Sequence, residues 1–326
     1  MNAVDHNNVV IFDDRGIPSI MCRFVRPKDT EEVPAVFKIG DKVADAIYIS
    51  KYPNIVIDGR AYSMPMADPT VNITFDEAVQ ACRCKGLGWH LMTAVEYEYL
   101  LNQSREKGTM PHGNTDWGKD YYHNEEQGKV SNLGRTYTGT GPVTWNHDHT
   151  PYGVSDLNGN VWEWLAGLRI KDGVIEFIPG NKAASPYCDL SKDSTEWQQA
   201  ETSKGPVRAN VECGEITITD AVAADDYEPN YDGVRIEELE VKLSEIPQVL
   251  KDLGIIPDKR AEEEGKTYVY FDATEGEYLP IRGSAFGDTS GSGPSALDLI
   301  HPRSNSNGAV GFRSAFYEVN GKLITE

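Results

Sequence analysis

Two short stretches constrain this chain more than anything else in it. Gly153-Val-Ser-Asp-Leu-Asn-Gly-Asn-Val-Trp-Glu-Trp164 packs two tryptophans, a glutamate and an Asx/Gly-rich turn into twelve residues. Gly311-Phe-Arg-Ser-Ala-Phe316 sets an arginine beside a glycine and two phenylalanines. In the first stretch Asp156 and Asn158 read as turn residues and the tryptophans as core. About 150 residues separate the two.

At 326 residues the chain can bury one large core or two modest ones, and 39% hydrophobic content suits a folded domain. No apolar run approaches ~18 residues, so membrane insertion is not expected. The start, Met1-Asn-Ala-Val-Asp-His-Asn-Asn8, has neither a basic nor an apolar leader region. It implies cytoplasmic synthesis without a signal peptide, with any exit by another route. The net charge of −20 repels phosphate backbones, which argues against nucleic acid as a partner. Five cysteines (Cys22, Cys82, Cys84, Cys188 and Cys213) form no Cys-x-x-Cys pair and read as free thiols in a reducing compartment. On a helix Cys82 and Cys84 point roughly 200° apart, one inward and one outward.

Along the chain, residues 1–45 read as a small N-terminal strand module for assembly or attachment. Val9-Val-Ile-Phe12 and Ile20-Met-Cys-Arg-Phe-Val25 flank the turn Asp13-Asp-Arg-Gly16. A globular domain starts near Ala46, with strand-like Ala46–Ile49 and Asn54–Ile57. Thr74-Phe-Asp-Glu77 and Thr93-Ala-Val-Glu96 are capping boxes that open two helices. The first carries Phe75, Ala78, Val79 and Cys82 at helical spacing, and the second Tyr97, Leu100 and Leu101. A long acidic insertion spans about residues 165–278. Its 221–233 stretch reads as loop. Ile236, Leu239, Leu243, Ile246 and Leu250 read as one face of a helix that Pro247 would kink. Thr267-Tyr-Val-Tyr-Phe271 reads as a strand. The pattern alone supports an α+β fold.

The two signature stretches resemble those of the C-type-lectin-like fold shared by formylglycine-generating enzymes and the variable proteins of diversity-generating retroelements. The resemblance implies a C-type-lectin-like fold of the formylglycine-generating-enzyme type over residues 46–326. In the enzymes a calcium site occupies the first motif. Carried over, its ligands would be the Asp156 and Glu163 side chains and the Gly159 and Val161 carbonyls, an oxygen set of the kind calcium takes. The alternative is a Glu163 ion pair, with Arg313 as a candidate partner.

The copper-dependent enzymes use two cysteines near the C-terminus, and thiolate suits Cu(I). Here Gly311-Phe-Arg-Ser314 stands where the family often has Gly-Phe-Arg-Cys, and no cysteine follows Cys213. The stretch 281–316 instead resembles a retroelement variable region. Its framework is Arg282-Gly283, Ala296-Leu-x-Leu299, Ser304-Asn-Ser-Asn307 and the final Gly-Phe-Arg. The positions between are Gly287, Asp288, Ser295, Asp298, Ile300, His301, Gly308 and Ala309, all types reachable from an asparagine codon by changing adenines. Strand alternation would turn Leu297 and Leu299 inward and Asp298 and Ile300 outward. The resemblance therefore implies a non-enzymatic display protein that binds a protein or glycan on a target cell surface. It would be carried on a phage or prophage tail or on a cell surface, with homo-oligomerisation adding avidity. Phe286 departs from the family's usual tryptophan. The competing reading is a metal-dependent oxygenase of the same superfamily, for which His147-Asp-His149 is the nearest cluster.

Overall fold

The structure, a computed structural model, describes residues 6–224 and 226–323. The Met1–Asp5 start behind the leader expectation lies outside the described residues. The fold has few helices and many strands, arranged mainly in two sheets.

The smaller sheet runs in the order His6–Phe12, Pro18–Val25, Ala46–Ser50, Ser314–Val319, Lys322–Leu323. The Asp13–Gly16 turn joins the first two strands, and Ile11, Met21, Cys22 and Phe24 are buried. This corrects the expectation of a separate module over residues 1–45. The hairpin pairs along Ala46–Ser50 in register Cys22↔Ile49, and that strand pairs in turn with Ser314–Val319, Ala315↔Ile49. Its apolar faces have no other core to bury against, so it completes the sheet.

The larger sheet runs Tyr231–Arg235, Tyr268–Asp272, Leu297–His301, Glu277–Arg282, Leu168–Lys171, Val174–Phe177, Arg208–Glu212, Glu215–Thr219, Glu240–Lys242. The acidic stretch thus supplies strands to the same sheet as the C-terminal segment. Its Val207, Ala209, Val211, Ile216 and Ile218 share one core cluster with Ile47, Leu100 and Leu101.

Both capping boxes form. Thr74 and Glu77 close the start of Phe75–Arg83, and Thr93 and Glu96 that of Ala94–Lys107, which ends on left-handed Gly108. Cys82 is buried, Cys84 is partly exposed, and all five thiols are free. The helix expected over 236–250 does not form. After a turn at Ile236–Glu238, Glu240–Lys242 pairs in parallel with Glu215–Thr219, and only Gln248–Asp252 is helical, entered through Pro247. Pro247 cannot donate to a preceding helical turn, while the Ser244 amide and hydroxyl are held by Asp220. Of the five residues assigned to the face, Ile246 is exposed and Leu239 and Leu243 are partly so.

Candidate recognition face

The two signature stretches lie side by side. Val310–Phe312 runs parallel to Trp162–Trp164 in register Gly311↔Glu163, and the latter also pairs with Glu277–Arg282. Gly311 is required there, because a Cβ would sit 2.8 Å from the Thr70 carbonyl oxygen. The close approach carries Arg313 into the interior, fully buried. Its Nε and Nη2 donate to the two Glu163 carboxylate oxygens at 2.6 and 2.5 Å. Nη1 donates to the Ser50 carbonyl at 3.0 Å and Nη2 to that of Ser155 at 3.1 Å. Burial works to lower the Arg313 pKa, but Glu163 overrides it and the value rises. Burial pushes the Glu163 carboxyl up against the pull of Arg313.

This arrangement does not fit calcium at the four expected ligands. Both Glu163 oxygens are taken by the guanidinium fork, and the Gly159 carbonyl accepts the Val161 amide at 2.9 Å. Asp156 is buried, accepts the Gly139 amide, and has its pKa raised by burial to about 6. Arg313 already supplies the positive charge, and a dication beside it would meet repulsion in a low-dielectric site. Among the described residues no group of three or more His, Cys, Asp or Glu side chains is placed to hold a metal ion.

Ser314 is buried with its hydroxyl 3.0 Å from that of Ser50. His147 is buried and its Nδ1 accepts the Val154 amide, Asp148 binds Thr150, and His149 Nε2 lies 3.1 Å from the Met110 carbonyl oxygen. The three side chains are committed to separate local bonds.

The segment that follows Glu277–Arg282 is anchored at both ends by buried arginines. Arg282 Nη1 donates to Glu98 at 3.1 Å, Nη2 donates to the Ser295 carbonyl at 3.3 Å, and its guanidinium lies 5.0 Å from the Tyr97 ring centre. Leu297 and Leu299 are buried in the main core. Between these anchors Gly287 and Asp288 are exposed, and Ile300, His301, Gly308 and Ala309 are partly exposed.

Two of the eight expected display positions are corrected. Ser295 is 1% exposed, its hydroxyl bonded to Glu264 inside the Arg105–Glu264 pair. Asp298 alternates away from the leucines as expected, yet it is 6% exposed. Its strand lies between Tyr268–Asp272 and Glu277–Arg282, so neighbours cover its outer face too. Its Oδ1 accepts the Ile300 amide at 2.9 Å and its Oδ2 lies 3.3 Å from His301 Nε2. Asp298 therefore positions its two neighbours.

The structure adds aromatic residues that reading along the chain missed. Trp117 is 60% exposed, donates its amide to the Phe286 carbonyl at 2.7 Å, and meets the Phe286 ring edge-on at 5.0 Å. A side chain at Gly287 would lie against Trp117 at ordinary contact distance. The Asp288 backbone faces water while its carboxylate folds inward, accepting the Ala285 amide at 2.8 Å and a hydrogen bond from Trp162. That inward turn raises its pKa. Tyr270 stands in register with Asp298 on the neighbouring strand, and burial first, then Asp288 and Asp298, push its hydroxyl up to about 12. Tyr268 stacks on Tyr270 at 5.8 Å, and the Tyr122 hydroxyl donates to the Ser290 carbonyl. Gly308 and Ala309 adjoin this cluster, since the Ala309 carbonyl accepts the Trp162 amide at 2.8 Å. The signal available in the sequence was tyrosine alternation in Tyr268-Val-Tyr270. For Trp117 there was none, because a loop position carries no periodicity.

Comparisons with known proteins place this geometry. Residues 51–207 match the family described as the sulfatase-modifying factor enzyme 1-like domain. The formylglycine-generating enzyme of Mus musculus is 36% identical over 105 residues, covering 30% of this chain and 27% of the enzyme. The chain therefore spans only about a quarter of that relative. Among solved structures, the Major Tropism Determinant I1 variant is 12% identical, covering 97% of this chain and 62% of its own, with a TM-score of 0.33. PvdO from Pseudomonas aeruginosa is 14% identical, covering 96% and 99%, with a TM-score of 0.38. Over residues 51–207 the chain is thus similar to the sulfatase-modifying factor enzyme 1-like domain, and it carries the C-type-lectin-like fold of the formylglycine-generating-enzyme type.

Proposed function

We propose that the chain is a non-enzymatic recognition protein whose segment 281–316 is presented on a rigid scaffold and diversified by a retroelement. One observation carries this reading. The segment's framework residues Arg282, Leu297, Leu299 and Arg313 are buried, while Gly287, Asp288, Ile300, His301, Gly308 and Ala309 reach solvent, with Trp117 beside Gly287 and Trp162 beside Asp288 and Ala309. Side chains at Gly287, Ile300, His301, Gly308 and Ala309 can change without removing a buried apolar contact of the framework, whereas Asp288 also holds the Ala285 amide. Exposed aromatics held in place supply contact area at low entropic cost, and pre-organisation spares the ordering of a flexible loop. Gly308 has open space around its Cβ position, so the face keeps a hollow there.

The partner is a protein or glycan on a target cell surface. Nucleic acid is disfavoured by the net charge of −20. No helix among the described residues is long and apolar enough to cross a membrane. Phage or prophage tails, or a cell surface reached by a non-classical route, are the settings this role suits, and assembly into homo-oligomers would turn weak contacts into avidity.

Binding to immobilised cell-surface glycans and membrane proteins tests the reading. Ile300→Asp and Gly308→Trp are expected to weaken capture at least about tenfold, ~1.4 kcal/mol, with unchanged melting. Unchanged capture by both variants, or copper-dependent oxidation of a cysteine peptide, would overturn it. A reverse transcriptase gene in neighbouring DNA, with a near-copy of the 3′ coding region differing at adenines, tests the diversification.

A further inference from the structure

Two bulky apolar side chains stand in water on a backbone conformation that disfavours them. Trp117 is 60% exposed at a φ of 51°, and Leu133 is 70% exposed at a φ of 53°. Each is the first of two residues in a tight turn whose second is a left-handed glycine, Gly118 or Gly134. The Asp116 carbonyl accepts the Lys119 amide across the first turn, and the Asn132 carbonyl accepts the Arg135 amide across the second. Asn-Gly is the pair that best supplies positive φ at both central residues, and a bulky side chain at the first is strained. Neither burial nor backbone preference explains a tryptophan and a leucine there, and strain of this kind gathers at functional sites.

The two turns interlock. A Cβ at Gly134 would collide with the Trp117 ring, and one at Gly118 would collide with Val130, itself 49% exposed. One buried side chain pins both turns. Asn114 Oδ1 accepts the Gly118 amide at 2.6 Å, while its Nδ2 donates to the Gly134 carbonyl at 2.9 Å and to Asn160 Oδ1 at 3.2 Å. The Asn160 amide donates in turn to the Asn114 carbonyl at 2.7 Å. The first signature stretch thus holds the strained turns in place, with Trp117, Val130 and Leu133 outward. This patch touches the display segment twice. Trp117 lies against Phe286 and the Gly287 position, and Arg135 Nη1 donates to the Gly308 carbonyl at 3.1 Å.

We propose that Trp117, Val130 and Leu133 form a fixed anchor beside the display segment, and that its occupant is an apolar surface of a protein. The inference rests on the recognition reading and narrows its partner to protein. Val130 and Leu133 offer neither a hydrogen bond nor a ring on which a sugar stacks, whereas the cores of protein interfaces are apolar and rich in aromatic residues. The charged side chains around the turns already pair with each other, Asp116 with Lys119 at 3.2 Å and Asp68 with Arg135 at 3.0 Å. That leaves little to bond sugar hydroxyls, and it keeps unpaired charge away from the patch in a protein of net charge −20.

Capture of the whole chain by immobilised deglycosylated membrane proteins and by immobilised protein-free cell-surface glycans tests the proposal, together with melting curves. Capture is expected on the protein panel alone. Trp117→Asn should weaken it at least about thirtyfold and Leu133→Asn at least about fivefold. Because asparagine tolerates the left-handed turn, Leu133→Asn should also raise the melting temperature by about 1–2 °C, whereas a leucine that serves the fold would lower it on removal. Ile300→Asp separates this proposal from the reading it rests on. If Ile300→Asp weakens capture while Trp117→Asn or Leu133→Asn captures like wild type, the anchor falls and the recognition face stands. If none of the three weakens capture, the face itself falls. Capture by the glycan panel, capture by neither panel, or a lowered melting temperature for Leu133→Asn would overturn the proposal.

Discussion

At the residue scale, the interior is organised by buried charges that have partners and one that lacks a full one. Arg313 and Glu163 satisfy each other in a bidentate pair with no solvent access. Breaking such a pair strands a charge in low dielectric. Arg313→Leu should therefore cost about 3–5 kcal/mol, read as a drop in the denaturation midpoint. Asp156 behaves differently. Its pKa rises from 3.8 to about 6 because burial disfavours its charge. Between those values the folded state holds more protons than the unfolded one, so stability falls as pH rises through the window and the penalty is fully present above it. Asp156→Asn keeps an acceptor for the Gly139 amide and tolerates the left-handed φ of 60°. The variant should be more stable at pH 7 by about 1–3 kcal/mol and should lose most of the pH slope between 4 and 6, as urea titrations at several pH values would show. Adding a calcium chelator should leave the wild-type melting curve unchanged, since Glu163 is spoken for; a lowered midpoint would restore the metal.

At the element scale, local signals were legible wherever a short-range hydrogen bond defines the element. The two capping boxes read from Thr74/Glu77 and Thr93/Glu96 form as expected. They differ in setting, because Thr93 is buried and its hydroxyl also donates to Asn181 at 2.6 Å, whereas Thr74 is partly exposed. Thr93→Ala should cost about 1–2 kcal/mol and Thr74→Ala about 0.5–1 kcal/mol, compared by chemical denaturation. The stretch 236–250 differs from the expected helix because leucine and isoleucine at three- and four-residue intervals fit a helix and equally fit a turn, a short strand and a final helical turn. What separated them was an edge, that of Glu215–Thr219, which Glu240–Lys242 joins. The alternation in Leu297-Asp-Leu299 was legible, but which layer covers Asp298 was not. Period two distinguishes the faces of a strand and says nothing of what lies over each.

At the scale of the whole molecule, both chain ends meet in one sheet, with Ser314–Val319 pairing Ala46–Ser50 and the N-terminal hairpin completing the edge. Deleting residues 1–25 should therefore destabilise the entire fold. Calorimetry should show a broadened or lost cooperative transition, where a separable module would leave the remaining peak unshifted. The net charge of −20 adds self-repulsion across the same body. Raising salt from about 10 to 150 mM shortens the screening length from roughly 30 to 8 Å and should raise the melting temperature.

By itself the sequence determined the α+β character, both helix starts, the free thiols and the likeness carried by the Gly153–Trp164 and Gly311–Phe316 stretches. Those depend on contacts within a few residues or on side-chain types that only one kind of turn or core accepts. Only the tertiary structure decided that Glu163 is spent on Arg313, that Ser295 is sealed by Arg105 and Glu264, and that Trp117 lies against Phe286 and Gly287. Each of these rests on strands and loops brought together from tens to nearly two hundred residues apart, and no local period in the chain encodes which partners those will be.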